Sequence, residues 1–204
     1  MDAEQHEPPR TRVTARLRAL RFDAGTLCLN LVATVGRRPG APVERMGDAE
    51  RLEAWCRGAG LALEDDYDPQ DVLRSLHALR AAAHDIASGA LDAHRPRQES
   101  VDLVNRLART EPPAPQLELS ADGAWVAEGR RTLSKEALLS LVARDLIDLM
   151  TDGARRSRLI ACASEVCRML CLDSGGGRPR KWCSMRRCGN QAKAAGRRLR
   201  ESAP

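Results

Sequence analysis

Aromatic side chains are nearly absent from this chain of 204 residues: one Phe, one Tyr and three Trp make up 2% of it. A β-sandwich core leans on aromatic and β-branched residues. The shortage therefore argues against one, and leaves Leu, Val, Ile and Ala to fill a helical core. Long apolar runs are missing too, since nothing approaches the roughly 20 residues needed to span a bilayer. The N-terminal segment is charged throughout and lacks the apolar stretch of a signal peptide. A cytoplasmic, nucleoid-associated protein is expected. Histidine is scarce: His6, His77, His84 and His94 are all four, and none lies near the cysteine-rich end. No Ser/His/Asp set and no glycine-rich phosphate loop stands out, so no catalytic residue is assigned and an enzyme is not expected.

What is present is unevenly spread. Residues 151–204 hold 13 Lys and Arg against 4 Asp and Glu, a balance of +9; the other 150 residues hold 20 against 24, a balance of −4. An acidic body with a basic tail is a footprint of nucleic-acid binding, although a solubilising tail has the same signature. The seven cysteines divide likewise. Cys28 and Cys56 fall on apolar stripes and read as small buried hydrophobes. Cys162, Cys167, Cys171, Cys183 and Cys188 crowd the C-terminal end.

Apolar periodicity places the helices. Asp23 is expected to cap a helix ending at Gly36, and Asp48 caps the next. Asp68, Pro69 and Asp71 open a third as cap, first-position proline and first-turn acid. On it, His77 and His84 share a polar side with Arg74, which suits a solvated face better than a metal site. A further helix covers residues 97–109, and residues 117–119 and 124–126 read as a β-hairpin. Ser134 caps a helix to Thr151, with Leu133 and Leu138 as a hydrophobic staple. So much of that helix is apolar that it is either the central helix of the domain or part of a dimer seam. The expected fold is mainly α with a small β-hairpin. Its expected divisions are a disordered residues 1–9, a helical domain over 10–151 able to fold alone, a linker over 152–158 and a zinc module over 159–204.

Cys162-x4-Cys167 and Cys183-x4-Cys188 are two pairs of equal spacing. Each supplies two soft corners of a tetrahedron, so one structural Zn²⁺ is expected on these four thiolates. Stray thiols or disulfides are the alternative. Cys171, flanked by Leu170 and Leu172, is expected to pack. A closed four-thiolate site leaves no open position for water, so the metal supplies folding energy rather than catalysis. Four thiolates and Zn²⁺ sum to −2, which lowers the local balance from +9 to about +7.

Beyond Cys188 the pattern is that of a basic amphipathic helix. Asn190, Lys193, Arg197 and Arg200 share one face, with Gln191 and Arg198 beside it. Arg178, Arg180, Lys181, Arg186 and Arg187 precede it, and all are candidate contacts to duplex DNA. Asn190 and Gln191 are candidates for reading bases, and Asn190 is equally a candidate helix cap. Trp182 reads as packing over the zinc site, with base stacking as the alternative.

Residues 158–200 (RLIACASEVCRMLCLDSGGGRPRKWCSMRRCGNQAKAAGRRLR) closely resemble the CGNR zinc-finger family of bacterial transcription regulators. The matching features are the paired cysteines, Leu172-Asp173, Lys181-Trp182-Cys183-Ser184-Met185 and Cys188-Gly189-Asn190. The family usually carries an aromatic where Cys171 stands, and an arginine where this chain has Gln191. The stretches LCLNLVATV (27–35) and DAERLEAWCRGAGL (48–61) look like the ABATE domain that usually precedes this finger. That family favours Asp-Phe-x-Asn-Thr where Asn30-Leu31-Val32-Ala33-Thr34 stands here. The resemblance implies a helical sensing or dimerising domain carrying a DNA-binding finger. Duplex DNA, a small-molecule ligand in the helical domain and a homodimeric second copy are the implied partners. An RNA-binding or protein-docking module using the same surface is the alternative.

Overall fold

The computed structural model of the chain describes residues 13–114, 117–120, 122–127, 131–173, 177 and 179–201. Helices dominate, and every sheet among the described residues has two strands. The mainly α fold with a small hairpin is what forms.

Three helices make the frame: α2 (Leu27–Val32), α4 (Pro69–Asp92) and α6 (Lys135–Thr151). Each begins where a side-chain oxygen accepts from a free backbone N–H. Asp68 takes Gln70 N at 2.9 Å, with Pro69 at the first helical position, and Ser134 takes Ala137 N at 3.2 Å. Asp48 does the same for α3 (Ala49–Gly58), taking Arg51 N at 2.8 Å. Such caps contribute about 1 kcal/mol each. The first helix departs from expectation. Asp23 is held by Arg21, and Gly25 takes a positive φ of 104°, so the chain turns again before the helix and Thr26 becomes the cap.

α6 packs against α2, α4 and α5 (Gln98–Leu107) and buries Leu138, Leu139, Val142, Leu146 and Leu149. Most of its apolar circumference is covered within one chain, with Leu141, Ile147 and Met150 partly buried, and it packs at the centre of the helical body. Ser140, expected on its polar stripe, is fully buried and donates to Thr110 O at 2.5 Å. The expected solvated histidines are half-buried instead. His77 Nε2 lies 2.8 Å from Met46 O. Burial, with Arg38 nearby, pushes His84 down to about 4.

Two features were not anticipated. β3 (Leu61–Leu63) pairs in parallel with β6 (Arg131–Leu133), a long-range contact between short segments. Residues 153–156, expected as linker, form the short helix α7 (Gly153–Arg156), capped by Asp152. The hairpin β4 (Leu117–Leu119) and β5 (Trp125–Ala127) forms as expected. The remaining body elements are α1 (Ala15–Arg18) and the pair β1 (Val35–Gly36) and β2 (Val43–Glu44).

The C-terminal module is not hung on a free tether. Its first hairpin, β7 (Leu159–Ala161) and β8 (Leu170–Leu172), lies against the helices. Leu172 N donates to Ala24 O at 2.8 Å. Buried residues of body and module, Cys162, Cys183 and Leu170 included, form one continuous cluster. Gly25 sits at this seam, where an added Cβ would lie 2.9 Å from Leu172 Cβ. Gly25→Ala combines that overlap with a φ that L-residues avoid, and is expected to cost about 2 kcal/mol or more. Urea denaturation checks it: an unchanged midpoint would mean that the seam is loosely packed in solution.

Candidate zinc centre and basic surface

Each knuckle is a turn held by backbone hydrogen bonds. Cys162 follows β7, and its N–H donates to Met169 O at 2.9 Å across the hairpin. The chain then reverses at Ser164, whose carbonyl accepts from Cys167 N and Arg168 N at 2.9 and 3.0 Å, and Arg168 adopts a positive φ of 46°. The second knuckle is bridged to the first by Ala163 N donating to Lys181 O at 3.0 Å. From Ser184 the backbone winds into a π-helical turn, Met185–Gly189, which runs directly into α8 (Asn190–Glu201). Ser184 O accepts from Cys188 N at 2.9 Å and from Gly189 N at 3.1 Å. The wider turn carries Cys188 inward to the other thiols, a common use of π-turns at functional positions.

The four expected ligands come together. The sulfurs of Cys162, Cys167, Cys183 and Cys188 all lie within 4.8 Å of one another. Zinc–sulfur bonds of about 2.3 Å in a tetrahedron put sulfurs roughly 3.8 Å apart. Cys167–Cys183 and Cys183–Cys188 stand at 3.7 and 3.6 Å, so spacing and donor chemistry both fit one structural Zn²⁺. Thiols packed this closely do not ionise independently. Hydrogen bonds, first from Cys167, hold Cys162 far below the ordinary thiol range, whereas its neighbours, Cys162 foremost, push Cys188 far above it. A divalent cation removes that conflict by accepting all four as thiolates. Cys171 stands apart on β8, fully buried, its thiol pushed up to about 11 by burial. It packs.

The helical body reaches into this centre. Arg21, almost fully buried, places Nη1 3.8 Å from Cys183 Sγ and Nη2 2.6 Å from Asp23 Oδ2. Burial alone would raise the Asp23 carboxyl, but the Arg21 guanidinium offsets it and holds the group below its usual range. An outer cation beside a metal thiolate both orients the ligand and balances the −2 charge of the closed site. Its sequence signal was the pair Arg21 and Asp23 immediately before a helix, which reads as capping chemistry when no partner is in view.

The basic residues divide by what holds them. Arg180 is spent on the fold: its guanidinium donates to Trp182 O and Leu172 O at 3.0 Å each, and also to Cys183 O. Arg187 is half-buried and donates to Arg16 O at 2.9 Å. Arg178 lies outside the described residues. Lys181, Arg186, Asn190, Gln191, Lys193, Arg197, Arg198 and Arg200 are exposed. The face expected from sequence, Asn190, Lys193, Arg197 and Arg200, is therefore a continuous side of α8. Asn190 has helical φ and ψ of −68° and −34° and follows a turn already wound, so it is no N-cap. Trp182 is partly buried against the core, with Lys181 Nζ 5.5 Å from its ring, which is packing.

A helical domain sharing its core with a four-cysteine zinc finger is the class of protein that this geometry defines. The chain belongs to the ABATE family, described as "putative stress-induced transcription regulator", which matches residues 25–153. Residues 158–201 match the CGNR zinc finger. No curated protein matches the chain. Among the described residues, no helix is long and apolar enough to cross a membrane.

Proposed function

We propose that this regulator acts by binding duplex DNA through the finger, with α8 as the contacting element. One observation carries the reading: the exposed basic side of α8 grows straight out of the turn that bears Cys188. A helix joined rigidly to a metal ligand has a fixed direction, as a groove-reading element requires. Lys193, Arg197, Arg198 and Arg200 supply phosphate contacts, assisted by Lys181 and Arg186. Asn190 and Gln191, near its N-terminal end, are placed to read base edges, since amide side chains pair bidentately with adenine. The helical domain serves ligand sensing or dimerisation.

Selection from a random duplex pool at about physiological salt tests this reading. Recovery of a preferred sequence is expected. Asn190→Ala should then lose about 1–3 kcal/mol on that sequence and little on scrambled duplexes. Equal affinity for every duplex, or tighter binding to single-stranded RNA of the same sequences, would overturn it.

A further inference from the structure

Where the N-terminal segment, the β1–β2 turn and the finger meet, they enclose a cavity of about 300 Å³. Five arginines line it: Arg16, Arg21, Arg37, Arg45 and Arg187. Among the described residues no carboxylate does; Glu165, between the lining residues Ser164 and Val166, is exposed and does not line it. We infer that this cavity is a binding site for a dianionic phosphate group, free or as a phosphomonoester.

Arg21 is paired with Asp23, and the other four guanidiniums have no carboxylate partner among the described residues. Arg45 is buried, yet its Nε donates to Leu17 O at 2.7 Å and its Nη1 to Ala33 O, both uncharged carbonyls. Its Nη2 lies over Gly36, where a Cβ would stand only 2.2 Å away, so glycine is required there to admit the guanidinium. Arg16 and Arg187 are likewise held on backbone carbonyls, Arg16 Nη2 donating to Arg186 O and Arg187 Nη1 to Arg16 O. Arg37 carries a positive φ of 55°; its carbonyl accepts from Gly40 N at 3.2 Å, and its guanidinium has no hydrogen-bond or ion-pair partner among the described residues. A non-glycine residue in that region of φ is costly and often marks a site.

The charge sum sets the ligand class. The five guanidiniums contribute +5, the zinc tetrathiolate −2 and Asp23, paired with Arg21, −1. A surplus of +2 remains, matched by a phosphate or phosphomonoester dianion and not by a carboxylate. Burial, followed by repulsion from Arg21 and Arg187, pulls Arg45 below its ordinary range, the condition an anion would relieve. Guanidiniums pre-set on carbonyls lose little freedom on binding, and their fork geometry suits phosphate oxygens. Because body and finger both contribute, an occupant would tighten the seam between them. The inference does not depend on DNA binding.

Calorimetric titration of the zinc-loaded full chain with inorganic phosphate tests it, at about pH 7.5 where the dianion prevails, against chloride at equal ionic strength. One saturable site per chain is expected. Arg37→Gln should weaken it at least tenfold while keeping one zinc and an unchanged melting temperature. If that variant loses zinc, Arg16→Gln gives the same comparison. Absence of a saturable site, or equal uptake by the variant, overturns the inference. So does an Arg37→Gln protein whose DNA salt slope falls by about one unit while phosphate does not bind, since the cavity would then hold a backbone phosphodiester.

Discussion

Cys188→Ser is expected to abolish zinc binding, taking metal content from about one equivalent per chain to near zero. Serine offers a hard, protonated oxygen in place of a thiolate, and the remaining three sulfurs leave an open corner. Structural zinc contributes about 10–16 kcal/mol to small finger modules, comparable to or larger than the 5–15 kcal/mol by which a whole domain is stable. Loss of the metal should therefore unfold residues 159–201 outright. The damage should not stop there, because Cys162, Cys183 and Cys188 are part of the one buried cluster that also holds α2 and α6. A lowered melting temperature for the helical signal is expected alongside the metal loss. Cys171→Ser is the control. It buries a hydroxyl on β8 at a cost of roughly 1–3 kcal/mol but should keep one zinc. Full metal in Cys188→Ser, or metal lost from Cys171→Ser instead, would show that the ligand set is different.

Those four ligands were legible in the sequence because their signal is local: two equal Cys pairs, each on a turn of a few residues. The caps at Asp48, Asp68 and Ser134 were legible for the same reason, since a cap is a contact across three residues. What the sequence hid was set by partners far along the chain. Thr26 displaced Asp23 as a cap because Arg21 takes the carboxylate, an arrangement completed by Cys183, more than 150 residues away. The parallel pairing of β3 and β6 joins two three-residue strands whose patterns are too short to show a period. Arg180 looked like a free cation in a basic run, yet its donors close the knuckle.

The same hidden contacts join the helical body to the finger. The charge boundary and the Arg-rich segment over 152–158 predict a helical domain able to fold alone, a linker and a zinc module. Residues 153–156 wind into a helix instead, and Leu172, Arg21 and Arg180 tie the finger to the segment before α2. The helical body meets the metal site through the backbone around Ala24 and the guanidinium of Arg21.

Neutralising Lys193, Arg197 and Arg200 together, each to Gln, is expected to weaken DNA binding roughly a hundredfold at about 0.15 M salt, with little change in fold. The figure follows from counterion release. Each phosphate contact contributes about 0.9 to the slope of log affinity against log salt, so three contacts remove nearly 2.7 units of slope and about fivefold to sixfold in affinity each. The loss should be similar on preferred and scrambled duplexes, because phosphates carry no sequence information. All three residues lie on the exposed side of α8, beyond the last zinc ligand, so metal content and melting temperature should hold. Gln keeps helix propensity close to that of Lys and Arg, which removes unwinding of α8 as a competing cause. Isotherms over a salt series read both quantities from one set of titrations. If affinity and slope stay unchanged in the triple variant, α8 is not the DNA-binding surface, and Lys181 and Arg186 on the knuckle become the next residues to neutralise.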